Sequence, residues 1–310
     1  MTERLLVVSS SPHIHSPLDT QKIMMWVLIA LAPAGLAGVY FFGLRAALVM
    51  AVCVAACVAS EYIWQKLAKR KPTCCDLSAA VTGLLIAYNL PPTIPFWEAA
   101  VGCVFAIIVV KQCFGGIGAN IVNPALAGRA LMLSSWPVAM TSWTVDGVST
   151  ATPLALIKAG AVDKLPSIAD AFIGHIGGCI GETSSVALLI GFGILLAKDI
   201  IKWHIPVVYV AAATAFSCVF ALPCTAFYEI FAGGLLLGSI FMATDYTTSP
   251  MTVRGQVIFA FGCGLLTALI RAYGGYPEGV SYSILIMNIT VPLIDKFTTP
   301  HIFGEVKKHG

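Results

Sequence analysis

Charge is scarce in this sequence. Only 11% of its 310 residues are Asp, Glu, Lys or Arg, whereas 58% are hydrophobic, and the mean hydropathy is +0.88. This composition excludes intrinsic disorder, which needs few apolar residues and much charge, and it leaves too little polar surface for a soluble protein of this length. A net charge of +3 gives no indication of nucleic-acid binding. We therefore predict a membrane protein whose surroundings are a lipid bilayer, with no nucleic-acid partner.

Several diagnostic motifs are also missing. No two cysteines have the C-x-x-C spacing, and most of the ten cysteines lie in apolar runs, where thiols serve as small buried hydrophobes. No HExxH, cysteine quartet or carboxylate-rich loop is found, so we predict no metal site. No Walker lysine follows a glycine cluster, which disfavours nucleotide binding. Residues 1–21 lack the basic region and cleavage site of a signal peptide, so we expect the first apolar run to be retained as an anchor.

What the sequence has in abundance is long apolar runs. The runs are continuous instead of alternating, which predicts helices and not barrel strands. Several are shorter than the roughly 20 residues needed to cross a bilayer, which indicates tilted or broken helices around an internal site. We predict ten such helices, at 23–42, 46–64, 77–90, 96–110, 124–136, 184–197, 205–222, 230–243, 257–270 and 280–294.

The basic residues predict the orientation. If all ten runs cross the membrane, most of the 18 lysines and arginines lie on the side of the amino terminus, which the positive-inside rule makes cytoplasmic. Both termini are then cytoplasmic. The predicted organisation is a cytoplasmic tail (1–22), a first membrane half (23–136), an outward-facing connection (137–183), a second membrane half (184–294) and a second cytoplasmic tail (295–310).

The two halves share an order of landmarks. Gly-Leu-Leu at 83–85 recurs at 234–236, and the sequence KQCFGG at 111–116 resembles RAYGG at 271–275. Because each half has five helices, consecutive halves must insert with opposite orientation, so the fold class predicted is an all-α polytopic protein with two inverted five-helix repeats. The alternative is chance recurrence of short glycine motifs in a glycine-rich membrane protein.

A short motif in the outward connection is chemically specific. Asp146, Ser149, Ala151 and Thr152 form a D-x-x-S-x-A-T pattern. It resembles the site at which a flavin transferase esterifies FMN, through its phosphate, to a threonine hydroxyl. Thr152 is the acceptor that aligns. Thr150 stands where such sites usually have glycine, which makes it a possible decoy acceptor.

Five further motifs occur in order along the rest of the chain. Together with the flavin motif they resemble RnfD, a component of the Rnf electron-transport complex, over nearly the whole length. A paralogue, the NqrB component of the sodium-translocating NADH:quinone reductase, is similar but typically has a longer amino-terminal extension. The motifs are SPH (11–13), CDLSAAVTG (75–83), GGIGANIVNPALAGR (115–129), ATDYTTSP (243–250) and YGGYPEG (273–279).

The resemblance implies a function, a fold and partners. It implies a component, inactive alone, that relays electrons in ferredoxin:NAD oxidoreduction coupled to the movement of Na⁺ or H⁺ across the bacterial cytoplasmic (inner) membrane. It also implies a covalent FMN, a second non-covalent flavin (riboflavin), a fold similar to that of urea and ammonium transporters, the other Rnf components (RnfA, RnfB, RnfC, RnfE and RnfG) and a flavin transferase for maturation.

Residues 115–129 have features that suit a flavin. Gly115 and Gly116 let backbone approach a planar ligand, Asn120 and Asn123 offer donors and acceptors, and Arg129 is a costly charge inside an apolar run. We predict a flavin pocket here, with a flavin phosphate or a carboxylate as the partner of Arg129. The alternative is that the glycines allow close helix packing and the asparagines cap a broken helix.

Acidic residues near the ends of the runs are candidates for an ion path. We single out Asp76, Asp245 and Glu278, since carboxylates at membrane depth often serve ion or proton transfer. Helix capping or ion pairing at the membrane boundary is the competing explanation for each.

Three alternative functions remain open from the sequence. One is the corresponding component of a sodium-translocating NADH:quinone reductase. The others are a solute channel or transporter that uses the inverted repeat as a pore, and a scaffold that retains only the fold. Neither the channel nor the scaffold would require flavin on Thr152.

Overall fold

The computed structural model describes residues 19–70, 73–145, 148–149, 151–161, 163, 165–220, 228–275 and 278–300. The chain is helical over most of this length. Its helices are α1 (Thr20–Phe42), α2 (Leu44–Leu67), α3 (Ser78–Tyr88), α4 (Phe96–Phe105), α5 (Pro124–Ser135), α6 (Pro137–Met140), α7 (Pro153–Lys158), α8 (Ile168–Ile173), α9 (Ser185–Ala197), α10 (His204–Phe220), α11 (Tyr228–Phe231), α12 (Leu235–Leu237), α13 (Val253–Tyr273) and α14 (Val280–Thr298).

Shorter elements complete this architecture. A 3₁₀ turn at Cys74–Asp76 precedes α3, and π-helical turns extend α4 through Ala106–Gln112 and α12 through Gly238–Met242. In the connection between the two predicted halves (137–183), β1 (Thr144–Val145) and β2 (Val148–Ser149) pair as an antiparallel hairpin. This connection therefore has local structure of its own.

Each of the ten predicted runs contains helix. Among the described helices, four are long and apolar enough to cross a membrane: α1, α2, α13 and α14. The eighth run is interrupted, because α11 ends at Phe231 and the chain turns through Gly233, whose φ is +75°, before α12 begins. The expectation of broken helices is confirmed there. The last helix extends to Thr298, beyond the predicted end at residue 294.

Side-chain caps fix where several of the helices begin. Asn123 precedes Pro124 and accepts hydrogen bonds from the backbone N–H groups of Ala125 (3.0 Å) and Leu126 (3.3 Å). Thr252 caps α13 in the same way. A cap followed by proline satisfies the exposed N–H groups of the first turn, and the irregular segment before α5 is thereby held in place.

The two predicted halves contact each other through matching helices. The first helix of each half, α1 and α9, pack together, and so do the fifth helices, α5 and α14. Within the halves, α2 packs on α3 and α10 packs on α13. The main core includes the fully buried rings of Tyr88, Tyr209 and Phe259, and a smaller cluster lies around Leu154 and Ala171.

Gly83 allows α3 to pack closely against α2. A Cβ atom there would lie 2.8 Å from the carbonyl oxygen of Cys53 and 2.8 Å from the Cα atom of Val54, both backbone atoms of α2. Gly83→Ala is expected to push α3 from α2 and to destabilise the protein by about 1–3 kcal/mol. Thermal unfolding in detergent measures this.

The matched control is Gly193→Ala, in α9. Among the described residues, no heavy atom outside the adjoining stretch of α9 lies within 4 Å of a Cβ atom at this position, so the substitution should be neutral or slightly stabilising. Equal unfolding temperatures for the two variants would contradict the close packing of α2 and α3.

Candidate functional sites

A large cavity of about 400 Å³ lies where the chain enters α1. We call it the inner cavity. Its walls are mainly apolar, with a smaller number of polar residues. It is lined by Thr20, Ile23, Met24, Val27, Ser78, Val81, Thr82, Leu85, Lys111, Ile117, Gly118, Asn120, Asn123, Pro124, Ala125, Leu195, Ile200, Ile201, Phe241, Thr244, Asp245, Tyr246 and Thr247.

Both predicted asparagines line the inner cavity. The side chain of Asn120 donates to the carbonyl of Val122 (3.2 Å) and accepts from the hydroxyl of Thr247 (3.1 Å). Asn123 caps α5 and donates to the carbonyl of Met242 (3.3 Å). The capping alternative is thus confirmed for Asn123, which lies at the cavity wall as well.

The predicted glycines have a different position. Gly115 and Gly116 do not line the inner cavity; their φ angles of +127° and +101° turn the chain out of the π-helical end of α4. Gly118, with a φ of +88°, does line the cavity. Only glycine adopts such angles at low cost, so the cluster shapes the loop that presents the asparagines.

Asp245 faces the inner cavity from the loop after α12. Its carboxylate accepts hydrogen bonds from the hydroxyls of Thr247 (3.1 Å) and Thr248 (3.3 Å). Burial raises the pKa of Asp245, and the hydroxyl hydrogen bonds oppose that effect. The segment ATDYTTSP therefore holds one carboxylate in a fixed position at the cavity wall.

A buried ion pair contributes Lys111 to the lining of the inner cavity. Lys111 Nζ lies 3.0 Å from Glu61 Oε1 and donates to the Ser78 hydroxyl (2.6 Å). Asp76 accepts from the backbone N–H (2.9 Å) and hydroxyl (2.7 Å) of Ser78, and Gln112 donates to Glu61 (2.6 Å). Glu61 is thus held in an ion pair and a hydrogen bond. Asp76 does not line the cavity itself, but it is hydrogen-bonded to Ser78, which does.

Arg129 lies away from the inner cavity, in a cluster that we call the outer cluster: Arg129, Cys179, Glu182 and Glu278. The guanidinium bonds to Glu182 Oε1 (3.1 Å), to Glu278 Oε2 and to the side-chain oxygen of Asn89 (2.6 Å). The predicted carboxylate partner is confirmed. Glu278 therefore lies with Arg129 and is separated from Asp76 and Asp245.

Sequence reasoning missed Glu182. It belongs to the irregular connection, where no periodic pattern marks a residue as buried, yet only 2% of it is exposed. Its place just before the serine cap of α9 was the only available signal. Glu182 is thus a second acid beside Arg129, in addition to Glu278.

Thr152 lies next to the outer cluster. It is buried, it caps α7, and its hydroxyl oxygen accepts from the N–H of Ala155 (3.2 Å). Ala151 is exposed, the side chain of Ser149 and all of Asp146 lie outside the described residues, and so does Thr150. The small cavity beside Thr152 measures about 10 Å³ and is lined by Thr152, Pro153, Leu154, Ile176, Gly177, Gly178, Glu182, Thr183, Gly233 and Glu278.

The two cavities differ in what they can accommodate. The inner cavity has the size and the mixture of apolar walls and few polar groups that is typical of small-molecule sites. The small cavity is too small for an aromatic ring system. A group attached to Thr152 would therefore place only its linking atoms among these residues.

The family model and the relatives described below all indicate the same group of proteins. A model of the NQR2, RnfD, RnfE family matches residues 7–304. The chain is 51% identical to the D component of the Na⁺-translocating ferredoxin:NAD⁺ oxidoreductase complex of Acetobacterium woodii, over 99% of this chain and 98% of that protein. It is 44% identical to the D component of the proton-translocating ferredoxin:NAD⁺ oxidoreductase complex of Clostridium ljungdahlii, over 97% of each chain. The D component of an ion-translocating oxidoreductase complex of Pectobacterium atrosepticum is 35% identical, over 96% of this chain and 98% of that protein.

Proposed function

The chain belongs to the NQR2, RnfD, RnfE family, and we propose that it is the flavin-carrying RnfD component of an ion-translocating ferredoxin:NAD oxidoreductase complex. The observation that carries the proposal is the full-length similarity to the D components of such complexes, together with the flavin motif at Thr152. The protein is multi-pass and works only with its partners RnfA, RnfB, RnfC, RnfE and RnfG.

The first proposed cofactor is FMN, esterified to Thr152 by a flavin transferase. When bound, it would supply one-electron and two-electron redox chemistry that no side chain of this protein provides. Thr152 would anchor it, and the ring would lie outside the small cavity, toward a partner protein. Since the hydroxyl is buried, the transferase must act before the segment around α7 packs, or that segment must open.

The second proposed cofactor is riboflavin, bound non-covalently in the inner cavity. Asn120 and Asn123 offer the donors and acceptors that the polar edge of a flavin ring requires, and the apolar walls suit its faces. The charges favour a flavin without phosphate: Lys111 is already paired with Glu61, and the carboxylate of Asp245 would repel an anion.

The proposed arrangement in the membrane is two inverted five-helix repeats with both termini in the cytoplasm. Two observations support it: corresponding helices pack at the interface between halves, and the matched positions 111 and 271 both hold buried cations. Lys111 pairs with Glu61, and Arg271 pairs with Glu229 at 3.3 Å. The inner cavity, beside the start of α1, would then face the cytoplasm of a bacterial cell, and Thr152 would face outward.

The proposed role in ion transport involves carboxylates near both sides of the membrane. Asp245, with Asp76 nearby, would serve the cytoplasmic side, and Glu278 the outward side, for Na⁺ or H⁺. The relatives whose names specify an ion include one of each kind. Glu61 and Glu229 each have a cation of their own, whereas Glu278 shares Arg129 with Glu182, so the first two are less suited to this role.

A second candidate function is that of the corresponding component of a sodium-translocating NADH:quinone reductase, because the matching family includes it. The electron donor and acceptor distinguish the two. The purified complex should couple ferredoxin to NAD⁺; reduction of a quinone by NADH would favour the alternative.

Flavin analysis of the purified complex tests both cofactors. After denaturation, one flavin should remain on the chain and fluoresce in a gel, and a phosphate-free flavin should be released. A chain without attached flavin, from a host that has the transferase, would contradict the covalent site.

Asn120→Leu is expected to reduce the released riboflavin several-fold and to leave the covalent flavin unchanged. The substitution removes a donor and an acceptor from the inner cavity, and a buried polar contact to a ligand is worth about 1–3 kcal/mol. Flavin extracted from the denatured complex is measured by chromatography. Thr290→Val, on α14 away from the cavity, is the control and should retain both flavins.

A further inference from the structure

The outer cluster has an unbalanced charge. Arg129 is bonded to two carboxylates, those of Glu182 and Glu278, and the cluster is almost fully buried. If both acids are ionised, the cluster has a net charge of −1 in surroundings of low polarity, which is costly. Binding one positive charge would remove this cost.

An unpartnered oxygen is available for that charge. Glu182 Oε1 bonds to Arg129, but Glu182 Oε2 is buried and has no hydrogen-bond partner among the described residues. Glu182 lines the small cavity together with Thr152 and Glu278. The side chain of Glu278 is 16% exposed, which connects the cluster to water.

We propose that Glu182 and Glu278 form a binding site for one exchangeable proton, located beside Thr152. In the occupied state, one carboxyl group of the pair is neutral and Arg129 balances the other. In the empty state, the proton has moved to water at the outward surface, and two carboxylates share one guanidinium. No other bond forms or breaks.

The surrounding charges favour a proton over a metal ion. Ligand atoms of Cys179, Glu182 and Glu278 lie within 4.8 Å of one another, but the guanidinium of Arg129 is already bonded to both carboxylates, so a divalent cation would be repelled. Arg271 approaches the small cavity near Gly233 but is paired with Glu229. Cys179 and Asn89 are the remaining polar side chains that contact Arg129 among the described residues.

The surroundings of Glu182 favour its protonated form, in agreement with this geometry. Burial and the negative charge of Glu278 raise the pKa of Glu182 to about 7, although Arg129 opposes the effect. The group therefore retains a proton to higher pH than a solvent-exposed glutamate does. With respect to function, and resting on the proposed FMN at Thr152, the pair would supply a proton that neutralises negative charge arriving beside this residue.

Infrared difference spectra of the purified full chain in detergent, recorded between acidic and alkaline buffers around neutral pH, test the proton site. A band from a protonated carboxyl group should disappear as the pH rises. It should be absent in Glu182→Gln or in Glu278→Gln. It should persist in Glu229→Gln, which removes a buried glutamate that has a cation of its own, and in Thr152→Ala.

Thermal stability provides a second measurement. A pKa raised from 4.5 to about 7 in the folded state means that protonation stabilises the fold, so stability should fall as the pH rises through this interval. This component should vanish in Glu182→Gln. A carboxyl band unchanged in both outer-cluster variants, or one that responds to Na⁺ instead of pH, would overturn the proposal. Thr152→Ala cannot carry the flavin, so a band that persists in this variant shows that the proton site does not depend on flavin attachment. Failure of the proton site can thereby be told apart from failure of the proposed FMN site.

Discussion

A complex that carries Thr152→Ala is expected to lose ferredoxin-dependent reduction of NAD⁺, down to the background of a flavin-free preparation. The hydroxyl is the proposed attachment point, and no other side chain of this protein can replace the redox chemistry of the cofactor. The structure places Thr152 as the cap of a helix of only six residues, so loss of the cap should cost about 1 kcal/mol and leave the fold intact. Turnover by the purified complex measures the effect.

Two further variants make this prediction specific. Thr150→Ala removes the neighbouring hydroxyl and should retain both flavin and turnover. Thr152→Ser keeps a hydroxyl at the attachment point and should restore at least part of the flavin content. Full turnover in Thr152→Ala, in an assembled complex, would contradict the role of this residue as the attachment point.

Arg129→Met is expected to have the largest effect on stability. It removes the only cation bonded to Glu182 and Glu278 among the described residues, and it leaves two buried carboxylates with each other. Removing one partner of a buried ion pair typically costs about 3–5 kcal/mol. We expect lower yield and a strongly reduced unfolding temperature of the chain in detergent.

The controls separate the effect of leaving buried charges unpaired from the effect of removing an arginine side chain. Arg45→Met removes an exposed arginine that donates to the carbonyls of Pro92 and Thr93, and it should change stability by less than about 1 kcal/mol. Adding Glu182→Gln and Glu278→Gln to Arg129→Met removes the unpaired charges and should restore much of the lost stability. No difference between Arg129→Met and Arg45→Met would contradict the buried charge network.

The helices could be predicted from the sequence because apolar runs and caps are local signals. Every predicted run contains helix, and the cap at Asn123 follows directly from Asn-Pro at the start of an apolar run. The break in the eighth run could be anticipated from its length and its glycines. Its π-helical turns could not, because they depend on how the surrounding helices pack.

The sites could be predicted only in part, since they depend on contacts between segments that are distant in the sequence. In the sequence, residues 115–129 look like one flavin-binding unit. In the structure, α5 divides this unit between two sites: Asn123 lies at the inner cavity, and Arg129, nearly two turns further along α5, lies in the outer cluster. The partner of Arg129 could be predicted as a carboxylate. That there are two carboxylates, from segments 53 and 149 residues away, could not.

The central claim is that this protein carries FMN on Thr152, and peptide mass spectrometry of the denatured chain tests it most directly. The chain should come from a complex expressed together with the flavin transferase, with Thr152→Ala prepared in parallel. The account predicts an FMN phosphoester on the peptide that contains Thr152, located on that residue by fragmentation and missing in the variant. An unmodified peptide in the wild-type chain, or FMN located on Thr150, would contradict it.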